Sequence, residues 1–137
     1  MKKNLTDGEI DAEVQNILRD TSLYAYEAFV EENWGGMDNL KIPTDIIAAL
    51  GLEGERGEVA DAIKKVYRDG YSAEEVRAYH TDSTVLAAHR HEIAKELGDQ
   101  LFYLVKVAHE FGLDLRFITA ANVSKLLHRM QAPLKED

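Results

Sequence analysis

The chain has 137 residues, 45% of them hydrophobic and 30% charged, with a formal net charge of −9. That length suits one domain with a real core, and the negative charge opposes a polyanionic partner such as a nucleic acid polymer or an anionic membrane. With no cysteine there is neither a disulfide framework nor a thiolate metal site.

The opening stretch carries two lysines but no apolar run behind them, and no segment approaches the ~18 apolar residues of a membrane span, so a cytoplasmic protein is expected. Thr6 and Glu9 have capping-box spacing and open a first helix. Ile10, Val14, Ile17, Leu18, Ala25 and Phe29 continue it at helical spacing as far as Trp34, where Gly35 and Gly36 follow. A second helix starts at Pro43–Thr44, with Thr44 as its expected N-cap, and Gly70 stops it. Ser72 and Glu75 form another capping box, opening a short helix to about Tyr79. After the break at His80–Ser83 a long helix runs to Phe111 and stops at Gly112. Asp114 caps a last helix that ends near Met130, before Pro133. The expected fold is all-α: a single-domain antiparallel bundle of four main helices with one short helix between them.

Two of these helices carry acidic pairs three residues apart, Glu55/Glu58 with Glu58/Asp61 on the second and Glu96/Asp99 on the long one. On a helical wheel the second helix has an apolar stripe through Leu52, Val59, Ile63 and Val66. Glu55 stands about 60° beside it and Glu58 about 120°, while Asp61 faces away. On the long helix Ile93, Leu97, Leu101, Leu104 and Ala108 make the stripe, and Glu92, Glu96, Asp99 and Tyr103 lie along one flank. If the two flanks face each other, four carboxylates converge, and a divalent cation relieves their repulsion. An all-oxygen set suits Mg²⁺, with Mn²⁺ as a substitute, rather than zinc. Gly57 and Gly98 sit inside the two acidic pairs, where a missing side chain would let a backbone or a phosphate come close.

The plainer reading of the same residues is a solvated acidic face, with Asp61 and Lys65 as an ordinary i,i+4 pair. The histidines read as surface residues, and the absence of any Glu-x-x-His argues against a ferritin-like di-iron bundle. Trp34, Tyr24 and Phe29 suit either core packing or stacking on a base. Lys64 and Lys65 could add positive charge near a phosphate.

At these residues the sequence resembles the MazG-type nucleoside triphosphate pyrophosphohydrolases of the all-α NTP pyrophosphatase superfamily. "GLEGERGEVADAIKK" is similar to that family's Glu-x-x-Glu motif and "KELGDQLFYL" to its Glu-x-x-Asp motif, while "ANVSKLLHR" resembles its Asn-x-x-Lys helix. "SLYAYEAF" resembles its first helix more loosely. The resemblance implies a homodimer or homotetramer that uses Mg²⁺ to hydrolyse a nucleoside triphosphate to the monophosphate and pyrophosphate. It implies Glu55, Glu58, Glu96 and Asp99 as metal ligands and catalytic carboxylates, with Asn122 and Lys125 on phosphate or ribose; Lys65 and Trp34 are added here as further substrate candidates. The stretch between Glu58 and Glu96 is longer than the family usually has. The excess, about Tyr71 to His91, is expected to tune substrate choice or assembly and not to carry the chemistry. Two alternatives stay open: a relative acting on phosphoribosyl-ATP, dUTP or dCTP, and a non-catalytic helical module that docks a basic partner.

Overall fold

A computed structural model describes positions 6, 8, 9, 12, 15, 16, 19, 23–35, 41–78 and 80–131, with side chains as far as 126. Ile10, Val14, Ile17 and Leu18 of the expected first helix, with Gly36, Tyr79 and Pro133, lie outside the described residues. Among the described residues the regular elements are all helices: α1 (Tyr24–Asn33), α2 (Thr44–Arg68), α3 (Ala73–Arg77), α4 (Thr84–Glu110) and α5 (Leu115–Gln131). None of these is long and apolar enough to cross a membrane. The residues cluster into two compact units, Met1–Asp38 with Ala108–Asp137, and Asn39–Val107.

In the first unit the Thr6 capping box is present, with the Thr6 N–H and hydroxyl both 2.8 Å from the Glu9 carboxylate. The helix it opens does not run unbroken to Trp34. Leu23 adopts the left-handed region at φ 63° immediately before α1, a conformation a bulky residue rarely takes. The sequence carries the reason, since Asp20, Thr21 and Ser22 favour turns and helix starts over helix interiors. Val30, Trp34, Ala108 and Leu115 are buried in this unit. So is the Glu27 side chain, whose carboxylate accepts the Leu115 N–H at 2.9 Å. His109 bridges two carboxylates of α1, with Nδ1 2.7 Å from Glu31 and Nε2 3.4 Å from Glu27. Asp114 caps α5 by accepting the Phe117 N–H at 2.7 Å, as its position predicts.

In the second unit α2 begins one residue earlier than a Thr44 cap would place it. Pro43 occupies the cap position, where its ring has no acceptor to offer and its carbonyl takes the Ile46 and Ile47 N–H groups at 3.1 Å. Gly70 ends α2 with φ +90°, a value glycine takes without cost. The Ser72/Glu75 capping box on α3 is complete, at 3.2 and 2.7 Å. The Arg90 guanidinium donates to the Val76 carbonyl at 3.2 Å and also to the Ala78 carbonyl, so α4 closes the C-terminal end of α3. Tyr71 and Ser83 share a hydrogen bond of 2.8 Å, and His89 lies 2.7 Å from Asp69. The stretch from Tyr71 to His91 is thus held together by two contacts of its own and tied to the end of α2 by His89 and Asp69.

The helices α2 and α4 run antiparallel, since Gly51 meets Tyr103, Glu55 meets Glu96 and Asp99, and Asp69 meets His89. The facing side of α2 is turned by about 60° from the stripe expected through Leu52 and Ile63. It carries Ala48, Gly51, Glu55, Ala62 and Val66, of which Ala48, Ala62 and Val66 are buried. Ile63 and Leu97, both expected inside, are 42% and 48% exposed. Small residues let the helix backbones come close, so the seam holds alanine and glycine where the wheel sought large apolar side chains. Asp61, expected to face away, is drawn round towards α4 and lines a cavity with Glu92.

Gly54 is the opposite of Gly51: it is exposed, and beyond its own helix backbone and chain neighbours a Cβ there would meet no atom of the described residues within 4 Å. Gly54→Ala should therefore stabilise the fold by up to about 1 kcal/mol, the intrinsic helix advantage of alanine. Urea unfolding checks this, and a loss of stability would show a constraint on Gly54 that its surroundings do not reveal.

Candidate metal centre

The seam places Glu55 at its middle on α2 and Glu96 at its middle on α4, with Asp99 one turn further along α4. One carboxylate oxygen from each of the three lies within 4.8 Å of the others. Glu55 and Glu96 are half-buried and Asp99 is exposed. Burial first, then the charges of Asp99, Glu96 and Glu58, raises the proton affinity of Glu55 above the usual carboxylate range.

The surrounding acids behave differently. Asp61 is paired with Lys64 at 2.6 Å and Lys65 at 2.7 Å, and their hydrogen bonds hold its pKa down to about 2. The ordinary i,i+4 pair expected between Asp61 and Lys65 is present, and the same hydrogen bond raises the proton affinity of Lys65. Glu92 pairs with Lys95 at 2.7 Å, which holds its pKa low. Among the described residues no such ion pair neutralises Glu55, Glu96 or Asp99. The acidic crowd therefore sorts into carboxylates matched by lysines and three that face one another.

Such a donor set fits a hard divalent cation: oxygen ligands from two rigid helices, with Glu55 held where its own negative charge is disfavoured. Glu58 is exposed and lies on the rim, lining a cavity of about 70 Å³ with Asp61, Ala62, Lys65, His89, Glu92 and Glu96. The structure thus brings Glu55, Glu96 and Asp99 into one cluster and sets Glu58 and Lys65 beside it.

The remaining candidates belong to the first unit. Asn122 and Lys125, three residues apart on α5, line one open groove of about 310 Å³ with Leu113, Phe117, Ile118 and Ala121. Trp34 is 6% exposed and forms part of that unit's core. Among the described residues no backbone of another element comes close to Gly57 or Gly98, which leaves open space there, and the close approach within the seam is at Gly51. Beyond its own helix backbone and chain neighbours, a Cβ at Gly57 or Gly98 would meet no atom of the described residues within 4 Å, whereas one at Gly51 would overlap the Tyr103 ring. Tyr103 stands on the acidic flank of α4, where the sequence gives it no role of its own. Its signal was the spacing of four residues after Asp99, which puts it one turn from the acidic cluster.

No solved structure matches the chain. The "Gene 37 protein" of Mycobacterium phage L5 is 31% identical over 80 residues. That alignment takes in 58% of this chain and 60% of the phage protein, so the match spans about three fifths of that relative. The MazG nucleotide pyrophosphohydrolase domain matches residues 45–132, a span that runs from the first turn of α2 through all three acidic pairs to the end of α5. The chain belongs to the MazG nucleotide pyrophosphohydrolase domain family.

Proposed function

We propose that the chain is a Mg²⁺-dependent pyrophosphohydrolase that cleaves a nucleoside triphosphate between its α and β phosphates, releasing the monophosphate and pyrophosphate. The observation that carries this reading is the Glu55–Glu96–Asp99 cluster, three carboxylates within 4.8 Å of one another in a chain of this family. Glu55, Glu96 and Asp99 would hold the ion, with Glu58 as a further ligand from the rim. A bound divalent ion supplies charge neutralisation at the phosphoryl oxygens and an acidified water.

The chain's own groups account for the rest. Hydrolysis adds water across the phosphoanhydride, so one proton must leave the attacking water as pyrophosphate departs. One of the carboxylates beside the ion would take that proton. Lys65 stands on the cavity rim with its ammonium held by Asp61, where it can offer positive charge to a phosphate tail. Asn122 and Lys125 take the phosphate or ribose contacts that the family resemblance implies. Their shared groove supports a joint role for the two. A homodimer or homotetramer is part of the same reading. The side of α2 away from the seam leaves Ile46, Leu50 and Tyr67 exposed, with Ile63 on its flank, and apolar surface of this kind favours burial against a second copy.

The test is a panel of ribo- and deoxynucleoside triphosphates, including dUTP and dCTP, together with phosphoribosyl-ATP, assayed for pyrophosphate with Mg²⁺ and with chelator. The expected result is equimolar monophosphate and pyrophosphate from at least one nucleotide, lost on chelation. Release of orthophosphate alone, or no metal-dependent turnover on any nucleotide, overturns the proposal.

A further inference from the structure

One turn along the seam from the acidic cluster, Gly51 of α2 faces Tyr103 of α4. The register is the same on both helices, because Gly51 precedes Glu55 by four residues and Tyr103 follows Asp99 by four. The phenol ring lies directly on the Gly51 backbone: its Cζ is only 2.6 Å from where a Cβ on residue 51 would stand. Phe102 packs edge-on to the same ring, with centroids 5.7 Å apart and planes at 87°. Burial, followed by the charges of Glu55 and Asp99, raises the proton affinity of the Tyr103 phenol, which places it in the electrostatic reach of both carboxylates.

We propose that Gly51 and Tyr103 are positioning residues for the metal centre: the ring, seated on bare backbone, sets the α2–α4 spacing at which Glu55 meets Glu96 and Asp99. This rests on the reading of those three carboxylates as a cation site. The physical argument is one of tolerance. Coordination distances for a hard divalent ion are kept to within ~0.2 Å, whereas helix pairs pack anywhere between about 8 and 10 Å apart. Something must hold the seam at one value within that range, close to the ligands. A flat, rigid ring with few rotatable bonds does so better than a flexible aliphatic chain. It also explains why α2 accepts a glycine in mid-helix at this position, where helix propensity argues for alanine. Any side chain at residue 51 would push the ring, and with it the turn of α4 that carries Asp99.

The test measures Mn²⁺ binding to the intact protein by paramagnetic resonance or calorimetry, beside circular dichroism of the metal-free forms. Gly51→Ala should weaken Mn²⁺ binding about tenfold or more, the scale of loss when the groups that orient metal ligands are disturbed. Tyr103→Leu alone should weaken it as well, because the spacer is gone. Combining the two moves bulk from one side of the seam to the other, so G51A/Y103L should bind more tightly than G51A. Tyr103→Phe keeps the ring and should bind as wild type does, as should Gly54→Ala, where an added Cβ meets no other element among the described residues. Binding by folded G51A at wild-type strength overturns the proposal, and so does equal loss in Y103F and Y103L. If G51A fails to fold, the comparison of Y103F with Y103L decides on its own. Failure of the wild-type protein to bind Mn²⁺ overturns the metal reading itself, a result distinct from either.

Discussion

Glu55→Gln and Asp99→Asn should each lower metal-dependent turnover by on the order of 10²–10³-fold, the scale seen when one charge-handling group of an active site is removed. The metal-free protein should be at least as stable as wild type. In the metal-free fold Glu55 faces Asp99, Glu96 and Glu58 from a half-buried position, and each of these neighbours raises its proton affinity. A neutral amide of the same shape removes that repulsion. The pH dependence follows with a definite sign. Glu55 binds its proton more tightly in the folded chain than at its ordinary value of 4.5. Between those two values the native state holds more protons than the unfolded one, so stability falls as pH rises through that window. The penalty is complete above the window and absent below 4.5. The advantage of Glu55→Gln without metal should therefore be largest at neutral pH and vanish in acid. In wild type, protons compete with the ion for Glu55, so the stabilisation given by Mg²⁺ should fade as pH drops through the same window. Thermal melts at two pH values, with and without Mg²⁺, measure all of this. Strong destabilisation of the metal-free variants with an unchanged Mg²⁺ response would instead make Glu55 and Asp99 halves of structural ion pairs.

Helix ends were the part of the fold most open to reading from the sequence, because caps are local. Ser72 with Glu75, Asp114, Gly70 and Gly112 each act within three or four residues, and each does in the structure what its chemistry requires. The acidic cluster was legible for a related reason. Spacing of three residues puts Glu96 and Asp99 on one side of α4 whatever that helix packs against. The rotation of each helix was not legible. Apolar periodicity weights Leu52, Ile63 and Leu97, yet the α2 face that meets α4 is made of Ala48, Gly51 and Ala62 with Glu55 set among them. Small residues that permit close approach leave almost no hydrophobic signal, and a carboxylate in the seam leaves a contrary one. Contacts between distant residues were hidden as well. Nothing local in "YAYEAF" says that Glu27 will be buried to receive the Leu115 N–H, or that His109 will stand between Glu27 and Glu31.

Trp34→Ala should give the largest loss of stability of any single change considered, about 3–5 kcal/mol, as for other large aromatic side chains truncated in a core. For a chain of this length that lowers the melting temperature by on the order of 10–20 °C. The indole is 6% exposed, in the unit whose core also holds Val30 and Leu115. Its removal loses apolar burial and leaves a cavity that a helix end can only partly close. Trp34→Phe keeps most of the volume and should cost far less. The sequence allowed a second role, stacking on a nucleobase, and the two roles separate cleanly in measurement. A stacking platform must present a ring face, so its loss would raise KM for a nucleotide while leaving the melting temperature nearly unchanged. A core residue does the reverse: the folded fraction of Trp34→Ala should keep the wild-type KM, and the variant should unfold early. Trp34 is the only tryptophan in the chain, so its fluorescence reports wild-type unfolding directly. If that emission is quenched by nucleotide in the folded protein, and Trp34→Ala melts with wild type, the indole belongs to the binding site and not to the core.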